Sequence, residues 1–418
     1  MRVLPALLST VLFPVLFPVL TVCAGDLWPH FRGPGAQGHT DAVEVPLRWS
    51  EQEHVVWKTE LPGEGWSSPV VAGGRAWMTT ALEEGKRLHA LCVDIQTGKL
   101  LHDVEVFTND VVAPKHRRNS HASPSPVLEG GLVYVHFGAM GTACLDAQSG
   151  RKLWERRDLV VDFQNGAGGS PALTQSALLL TCDGMDQQYE VGLDKATGKT
   201  LWKTSRSAVE KLAAKSADRR KAYGTPVLMT IGGRMQTVST ASERLYGVDP
   251  ATGRELWHVD YPGFSNVPLP VSDGEMLYVA TGFMKPEVWG IKLAGLSGES
   301  NANVVWKQIA GAPAQASPLL VKDRLYIVSD GGIASCLNAK SGEIVWKERI
   351  GKDFAASPLF AAGRIYFFDC DGNTVVVEPG DQFKEIARNK LESGFMASPA
   401  VVGKALILRT KTHLYRIE

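Results

Sequence analysis

One phrase recurs four times in this chain and constrains its fold more than any other feature. It reads LDAQSGRKLW from Leu145, LDKATGKTLW from Leu193, VDPATGRELW from Val248 and LNAKSGEIVW from Leu337. In each copy Asp or Asn precedes Trp by eight residues, and a Ser-Gly or Thr-Gly pair lies between them. Because Gly accepts the positive φ that tight turns require, each phrase predicts two strands joined by a short hairpin turn.

A second marker precedes each phrase and gives the number of units. The marker is a Pro at the head of an apolar strand, and the residue before it is Ser, Thr or, in one unit, Leu. The eight copies are Ser68-Pro69, Ser125-Pro126, Ser170-Pro171, Thr225-Pro226, Leu269-Pro270, Ser317-Pro318, Ser357-Pro358 and Ser398-Pro399. Spread over the residues that follow Ala24, eight units average about 49 residues, which is near the length of a four-stranded propeller blade. The pattern therefore predicts an all-β, eight-bladed propeller of four-stranded blades.

The Trp residues are predicted to dock each blade against its neighbour, since a large aromatic side chain on every outer strand would give equivalent contacts around the ring. The predicted docking residues are Trp57, Trp154, Trp202, Trp257, Trp306 and Trp346. Three units depart from the pattern. His102 stands where the first unit should have Trp, the fifth has Trp306 after an insertion, and the seventh has lost both the Gly turn and the Trp.

The last unit ends after three strands, and the start of the chain offers the fourth. The segment HVVWKTEL, residues 54–61, has the form of the other outer strands, with Trp57 in the docking position. Pairing the first and last segments would close the ring and leave no sheet edge exposed there. We therefore expect residues 54–418 to form a single domain closed by an N-terminal strand.

The residues before the repeat fall into two parts. Residues 1–24 have a basic start, an apolar run and small residues at its end, which predicts a signal peptide cleaved after Ala24 and export to the periplasm or cell envelope. The alternative is a lipoprotein acylated at Cys23, although Val22 is bulky where that signal needs a small residue. Residues 25–53 are expected to lie outside the ring, so Trp28→Ala should cost less stability than Trp154→Ala.

Composition limits the kinds of partner. Lys plus Arg and Asp plus Glu both number 44, the net charge is zero, and no overall field would draw the chain to nucleic acid or to anionic lipid. After signal removal no segment is long and apolar enough to span a bilayer, and we expect a monomer. Cys92, Cys144 and Cys336 occupy equivalent repeat positions, which predicts small buried residues instead of disulfide partners.

The repeated phrase, ending at Trp154, Trp202, Trp257 and Trp346, resembles the tryptophan-docking repeat of the pyrroloquinoline-quinone-type (PQQ-like) β-propellers. That superfamily contains quinoprotein alcohol dehydrogenases and the outer-membrane assembly lipoprotein BamB, and the resemblance covers about residues 54–418. The strings LWPHFRGP from Leu27 and GWSSPVV from Gly65 are similar to those of an exported, BamB-like branch. The repeat indicates the fold and says little about the activity.

For the dehydrogenase branch the resemblance implies a quinone in the central channel, capped by a disulfide between neighbouring cysteines and bound with Ca²⁺ by Glu, Asn and Asp. This chain has no adjacent cysteines and no C-x-x-C-H sequence. We therefore predict no cofactor and no metal, with PQQ and calcium as the alternative.

The least repetitive stretch is APKHRRNSHASPSP, residues 113–126, between the first and second units. Its polar side chains suggest an anion or carbohydrate contact at the channel mouth, and the alternative is a solvated loop whose His121 caps a strand. A second long loop, residues 205–224, and the turns that carry Asp183 and Asp330 should lie on the same face. The candidate binding residues are Lys115, His116, Arg117, Arg118, Asn119, His121, Asp183 and Asp330.

Two functions stay open. The favoured one is a non-catalytic binding or scaffold propeller of the periplasm or envelope, which contacts a protein or polysaccharide through the long-loop face and has no assigned catalytic residue. The other is an enzyme acting at the channel mouth, with a PQQ-dependent dehydrogenase as its specific form. In that case His116, His121 and Asp330 would be the candidate acid, base or ligand groups.

Overall fold

The computed structural model describes residues 27–418, in which eight antiparallel sheets form a ring. The predicted signal peptide and Cys23 lie outside the described residues. Blades 1 to 4 contain the strands Val70–Ala72, Arg75–Leu82, Arg87–Asp94 and Leu100–Thr108; Val127–Glu129, Leu132–His136, Thr142–Asp146 and Lys152–Arg156; Ala172–Leu173, Ala177–Asp183, Gln188–Asp194 and Thr200–Ser205; and Val227–Ile231, Arg234–Ala241, Arg244–Val248 and Glu255–Asp260.

Blades 5 to 8 complete the ring with the strands Val271–Ser272, Met276–Ala280, Val288–Lys292 and Val304–Gln308; Leu319–Val321, Arg324–Val328, Ile333–Asn338 and Ile344–Arg349; Leu359–Ala361, Arg364–Phe368, Asn373–Val377 and Glu385–Lys390; and Ala400–Val402, Ala405–Arg409, His413–Ile417 and Val55–Glu60. The α-helix Val209–Ala213 and the 3₁₀ turns Pro34–Ala36, Glu83–Gly85, Gly138–Met140, Ala217–Arg220 and Asn301–Asn303 lie between strands or before the first one. No helix in residues 27–418 is long and apolar enough to cross a membrane.

The N-terminal strand closes the ring, as predicted. Val55–Glu60 pairs antiparallel with His413–Ile417, and Lys58 lies opposite Tyr415. The eight-bladed propeller expected from the repeat is therefore confirmed, with one addition in blade 4. There Gly298–Glu299 pairs in parallel with Glu255–Asp260 and adds a short fifth strand at the outer edge.

The repeated phrase forms a turn that is held by its own side chains. In the first copy Asp146 Oδ1 accepts hydrogen bonds from the Ser149 amide at 2.7 Å and the Ser149 hydroxyl at 2.6 Å. The amide of Gly150, whose φ is 72°, donates to the Asp146 carbonyl at 2.9 Å. Because Ser or Thr and Gly are needed at these places, the phrase is a local structural requirement of the hairpin.

Five of the six predicted docking indoles reach the turn of the following blade. Trp154 of blade 2 donates its Nε1 proton to the carbonyl of Lys195 in blade 3 at 2.9 Å. A Cβ atom on Gly198 of the same turn would lie 2.6 Å from that indole, so the turn glycine also leaves space for the neighbouring blade. The other indole-to-carbonyl hydrogen bonds run from Trp57 to Ile95, Trp202 to Pro250, Trp306 to Ala339 and Trp346 to Gly380.

In blades 1 and 4 the residue at the docking position makes a different hydrogen bond. His102 of blade 1 replaces the indole, and its Nε2 lies 3.0 Å from the carbonyl of Gln148 in blade 2. Trp257 of blade 4 donates instead to Gln236 Oε1 within its own blade, at 2.8 Å, and it is fully buried. The added strand Gly298–Glu299 lies beside Trp257, since Gly298 is its register partner.

Residues 27–50, which we call the N-terminal segment, pack against the ring. Trp28 is only 2% exposed and forms a bridge with Val71 of blade 1. Further along, the segment bonds to blades 2, 5, 6 and 7 through Leu128, Ser272, Pro318 and Phe360. The burial of Trp28 against Val71 argues against the expectation that Trp28→Ala costs less stability than Trp154→Ala. The segment itself contributes no strand to a blade within residues 27–50. Its apolar side chains cover core residues that the blades alone leave open.

The five described cysteines are buried and free, as expected from their repeat positions. Cys144 and Cys336 lie directly opposite Trp154 and Trp346 in the strand register, where blades 3, 4 and 5 have Gly instead. A Cβ atom on Gly192 would lie 2.5 Å from Trp202. The position therefore needs a small residue because the indole lies across it.

Candidate functional site

A central cavity of about 530 Å³ opens on the face that carries the loops between blades. Every inter-blade loop contributes to its wall, and Phe31 of the N-terminal segment also lies in its lining. We call the side with the inter-blade loops the loop face. Its location agrees with the general rule that a propeller binds ligands with the loops that its rigid blades hold in place.

The cavity is encircled by hydroxyl groups from the Ser-Pro and Thr-Pro markers, which we call the collar. Its members are Ser68, Ser125, Ser170, Thr225, Ser317, Ser357 and Ser398, and all are buried. The backbone amide of Ser68 donates to Ser125 Oγ at 2.8 Å, and the same contact is repeated from blade to blade until Ser398 donates to Ser68 Oγ at 2.9 Å. The marker thus joins neighbouring blades at the axis.

The collar has one gap. Leu269 donates its amide to Ser317 Oγ at 3.0 Å, but it has no hydroxyl to accept from Thr225. The seven hydroxyl oxygens each accept an amide proton, and among residues 27–418 none of their own O–H groups has an acceptor. The collar therefore offers seven buried donors beside the cavity.

The mouth of the cavity is aromatic and polar. Trp66, Tyr223, Phe264 and Phe283 line it, and the rings of Phe264 and Phe283 meet edge to face with centroids 5.9 Å apart. Trp66 is fixed by a hydrogen bond from its Nε1 to the Arg118 carbonyl at 3.1 Å. These rings give apolar faces against which a ligand can pack.

The charged groups at the mouth are already paired within the protein. Arg118 reaches Asp353, in the loop between blades 6 and 7, at 2.7 Å, and this contact raises the pKa of Arg118. The buried ammonium group of Lys221 pairs with Asp218. Asp330 accepts hydrogen bonds from the Gln315 side chain at 2.8 Å and from the Ala314 amide at 3.0 Å.

The structure brings most of the 113–126 loop residues together beside the mouth, where they hold the loop in shape. Lys115 Nζ lies 3.1 Å from Glu64 and donates to the Asn119 carbonyl at 2.8 Å. Asn119 in turn donates to the carbonyls of Asn165 and Ala167. His116 lines the cavity, whereas Arg117 is exposed and has no ion pair within residues 27–418.

His121 and Asp183 are not available to a ligand at the loop face. His121 is buried, and this burial, with Lys115 nearby, lowers its pKa. Asp183 is 1% exposed, and both of its oxygens are taken by Arg206, at 3.0 and 2.9 Å. Glu190 accepts from the same guanidinium at 3.0 Å, so Asp183 belongs to a buried ion network and does not line the cavity. Sequence alone did not reveal Arg206 as the partner of Asp183.

Sequence reasoning missed two buried arginines next to the collar. Arg32 Nη2 donates to the carbonyl of Pro318 at 2.8 Å, beside Ser317. Arg409 Nη1 donates to Ser67 Oγ at 2.6 Å, beside Ser68. Among the described residues neither arginine has an acidic partner within 4 Å, and burial lowers the pKa of each to about 9. The Ser-Pro marker was the signal for the collar, and no sequence pattern pointed to the arginines.

The donors at the cavity do not match the calcium-bound quinone that the resemblance implies. Asp218 and Asp330 are the acids in its lining, and both are engaged within the protein. In residues 27–418 no group of three or more His, Cys, Asp and Glu side chains is arranged to hold a metal ion. No step of a mechanism is therefore derived through that cofactor.

Fold and site together define an eight-bladed, tryptophan-docking propeller whose central cavity has a hydroxyl collar, interrupted at Leu269, and opens on the loop face. A family model described as outer membrane protein assembly factor BamB matches residues 48–168, 118–260 and 298–382. The chain therefore belongs to this family of PQQ-like repeat propellers. No curated protein matches the sequence significantly.

Solved structures from different functional classes share the fold. BamB from Moraxella catarrhalis is 13% identical, with a TM-score of 0.60 over 87% of this chain and 99% of that one. Quinohemoprotein alcohol dehydrogenase from Comamonas testosteroni is 11% identical, with a TM-score of 0.66 over 95% of this chain and 81% of that one. The computationally designed protein Ika8 is 11% identical, with a TM-score of 0.58 over 86% of this chain and 98% of that one. At such identities the likeness concerns the fold alone.

Proposed function

We propose that the chain is an exported, non-catalytic scaffold propeller of the periplasm or cell envelope that binds a protein partner through its loop face. Membership of a family described by outer membrane protein assembly supports this location and role. The monomer is the form that we expect to bind.

The observation that carries the proposal is the contrast between charged and apolar groups on the loop face. Arg118 and Lys221 at the mouth are ion-paired, whereas Phe283 and Met284 are 53% and 66% exposed. Ile309 is exposed at the same end of blade 5, because its neighbour Gln308 pairs with Val288 just after the turn that holds Phe283. A group of exposed apolar side chains with polar residues around it is typical of a protein-binding site.

The test is site-specific photo-cross-linking in cells with a reactive residue at Phe283. The matched control is Met235, which is also 53% exposed but follows the turn between the first two strands of blade 4, at the opposite face. We expect a discrete cross-linked envelope protein from position 283 and none from position 235. Equal products from both positions, or none from either, would contradict the proposal.

A second measurement separates apolar from cationic recognition. The double variant Phe283→Ser/Met284→Ser should abolish capture of the partner protein, whereas Met235→Ser should leave the capture unchanged. Arg117→Ala should have a smaller effect, because a single exposed cation contributes little. A loss of capture only with Arg117→Ala would favour the anion contact that the loop sequence suggested.

The dehydrogenase alternative is tested on purified protein. Titration with PQQ and Ca²⁺ should leave the absorbance of the quinone unchanged, since residues 27–418 contain no group of three His, Cys, Asp or Glu side chains arranged to hold the metal. A saturable spectral change would support a quinoprotein and argue against the scaffold role.

A further inference from the structure

We propose that a groove on the loop face, where blades 4 and 5 meet, receives an acidic segment of the partner protein. The inference rests on the protein-binding role proposed above and adds the chemistry of the partner. The groove has a volume of about 640 Å³, and Ile309, one of the exposed apolar residues on which that role rests, belongs to its lining. The groove therefore adjoins the proposed partner-binding surface.

Basic side chains enter the groove from both sides of the blade junction. The loop before blade 4 contributes Lys211, Lys215 and Arg219, and the outer strand of blade 5 contributes Lys307. Lys211 and Lys215 are 44% and 38% exposed, and Lys307 is also exposed. These cations are therefore accessible to a ligand that lies in the groove.

The cations at the groove outnumber the acids. Each of two carboxylates is shared by two cations, which are Arg244 and Lys211 on Asp260, at 2.5 and 3.1 Å, and Arg219 and Lys215 on Glu243, at 3.0 and 3.7 Å. Because one guanidinium already neutralises each carboxylate and exposed ion pairs are weak, Lys211 and Lys215 can contact an acid of a ligand at little cost. Lys307 has no ion pair within residues 27–418, so three lysines are available.

Apolar surface and one further acid distinguish the groove from a general polyanion site. The buried rings of Tyr261 and Trp289 meet edge to face with centroids 6.2 Å apart, and Lys307 Nζ lies 3.9 Å from the Trp289 ring centroid. Glu287 accepts a hydrogen bond from the Trp289 indole at 2.6 Å and would repel a continuous polyanion. A peptide can instead place separate acidic side chains at the lysines and apolar ones beside the exposed Pro262.

Removal of the three lysine charges tests the inference in cells, with the cross-link at Phe283 as the readout. The variant Lys211→Gln/Lys215→Gln/Lys307→Gln should lower the yield of the cross-linked partner at least ten-fold. Arg at the same three positions keeps the charge and should retain most of the yield. Thermal melting of the purified variants checks that each one is folded.

The matched control removes the same charge from exposed hairpin turns at the opposite face, as Lys99→Gln/Lys199→Gln/Lys340→Gln. We expect this control to leave the yield unchanged. An unchanged yield in the folded groove variant would overturn the inference while the proposed function stands. A native protein that gives no cross-link would contradict the proposed function, and peptide binding then decides on the groove.

Binding of the purified protein to an array of short peptides measures the groove without the partner. In the array Asp or Glu alternates with Phe, Leu or Pro, and a second array has Asn and Gln in place of the acids. We expect at least ten-fold weaker binding to the amide peptides, and the same loss for the groove variant on the acidic ones. Equal binding to both arrays, or none to the acidic one, would overturn the inference. Displacement by polygalacturonate that is stronger than by acidic peptide, at equal carboxylate concentration, would overturn the assignment to a protein segment.

Discussion

Trp49 of the N-terminal segment stacks on Tyr366 of blade 7, with ring centroids 6.2 Å apart and planes inclined by 19°. In blades 2, 5 and 6 the equivalent Tyr packs against the docking Trp of its own blade, as Tyr134 does with Trp154 at 6.0 Å. Blade 7 has Ala387 at that place in its outer strand, opposite Val376. The chain therefore supplies from its N-terminal segment the aromatic group that this blade has lost.

Trp49→Ala should lower the free energy of unfolding by about 3–5 kcal/mol, the usual cost of emptying a buried aromatic site. Its backbone amide also bonds to Asn389 at 2.9 Å, so Trp49 is fixed to two strands of blade 7. Denaturant unfolding measures the change. Trp66→Ala, at the partly open cavity mouth, should cost much less, and equal losses would show that the stacking is not important for stability.

Trp28→Ala should destabilise the protein at least as much as Trp154→Ala, because Trp28 is fully buried and Trp154 is half-buried. The sequence had led us to expect the smaller loss of stability for Trp28→Ala. We expect a loss of about 3–5 kcal/mol for Trp28, measured by thermal or denaturant unfolding. A clearly smaller loss than that of Trp154→Ala would contradict the observed packing of the N-terminal segment.

Deleting residues 25–61 should cause aggregation or a lower melting temperature. The deletion removes Val55–Glu60 and leaves the edge of His413–Ile417 unpaired, and an unpaired apolar edge recruits other chains. Light scattering and calorimetry measure these outcomes. Deleting only residues 25–45 should also lower the melting temperature, because it uncovers Val71 and Phe360, but it should leave the edge paired. A stable, monomeric 62–418 fragment would refute ring closure.

Gly247→Ala should destabilise the propeller by about 1–3 kcal/mol, the usual cost of overpacking a core. The new methyl group would lie 2.0 Å from the Trp257 ring, which is buried and cannot withdraw. Gly331→Ala is the matched control, because its methyl group would meet nothing within 4 Å and its φ is not positive. Similar unfolding curves for the two variants would contradict the placement of the indole.

Stability should fall as the pH drops from about 6.5 towards 4, partly because of His136. Burial lowers the pKa of this histidine to about 4, whereas the unfolded chain binds the proton near its ordinary value of 6.5. The unfolded state therefore takes up more protons in this window, and the contribution of His136 decreases by about 3 kcal/mol. Unfolding measured at several pH values should show a shallower dependence for His136→Asn, and an identical slope would argue against the shift.

The repeat made the fold predictable because its requirements are local. Asp146, Ser149 and Gly150 form a turn from their own side chains and backbone, so the sequence shows where each hairpin lies without knowledge of the rest of the chain. The Ser-Pro markers likewise gave the blade number, and the missing last strand indicated closure by Trp57 and its neighbours. The sequence alone thus determined the number, order and pairing of the blades.

Tertiary structure decided the features that depend on residues far apart in the chain. Asp183 was expected at the surface, but Arg206 reaches it within a buried network. Trp49 and Tyr366 meet only because the N-terminal segment packs across blade 7. Arg32 reaches the carbonyl of Pro318 because the same segment also packs against blade 6, and no local pattern encodes this contact. Packing between distant segments sets burial and charge compensation, and these decide which polar groups remain free to bind a ligand.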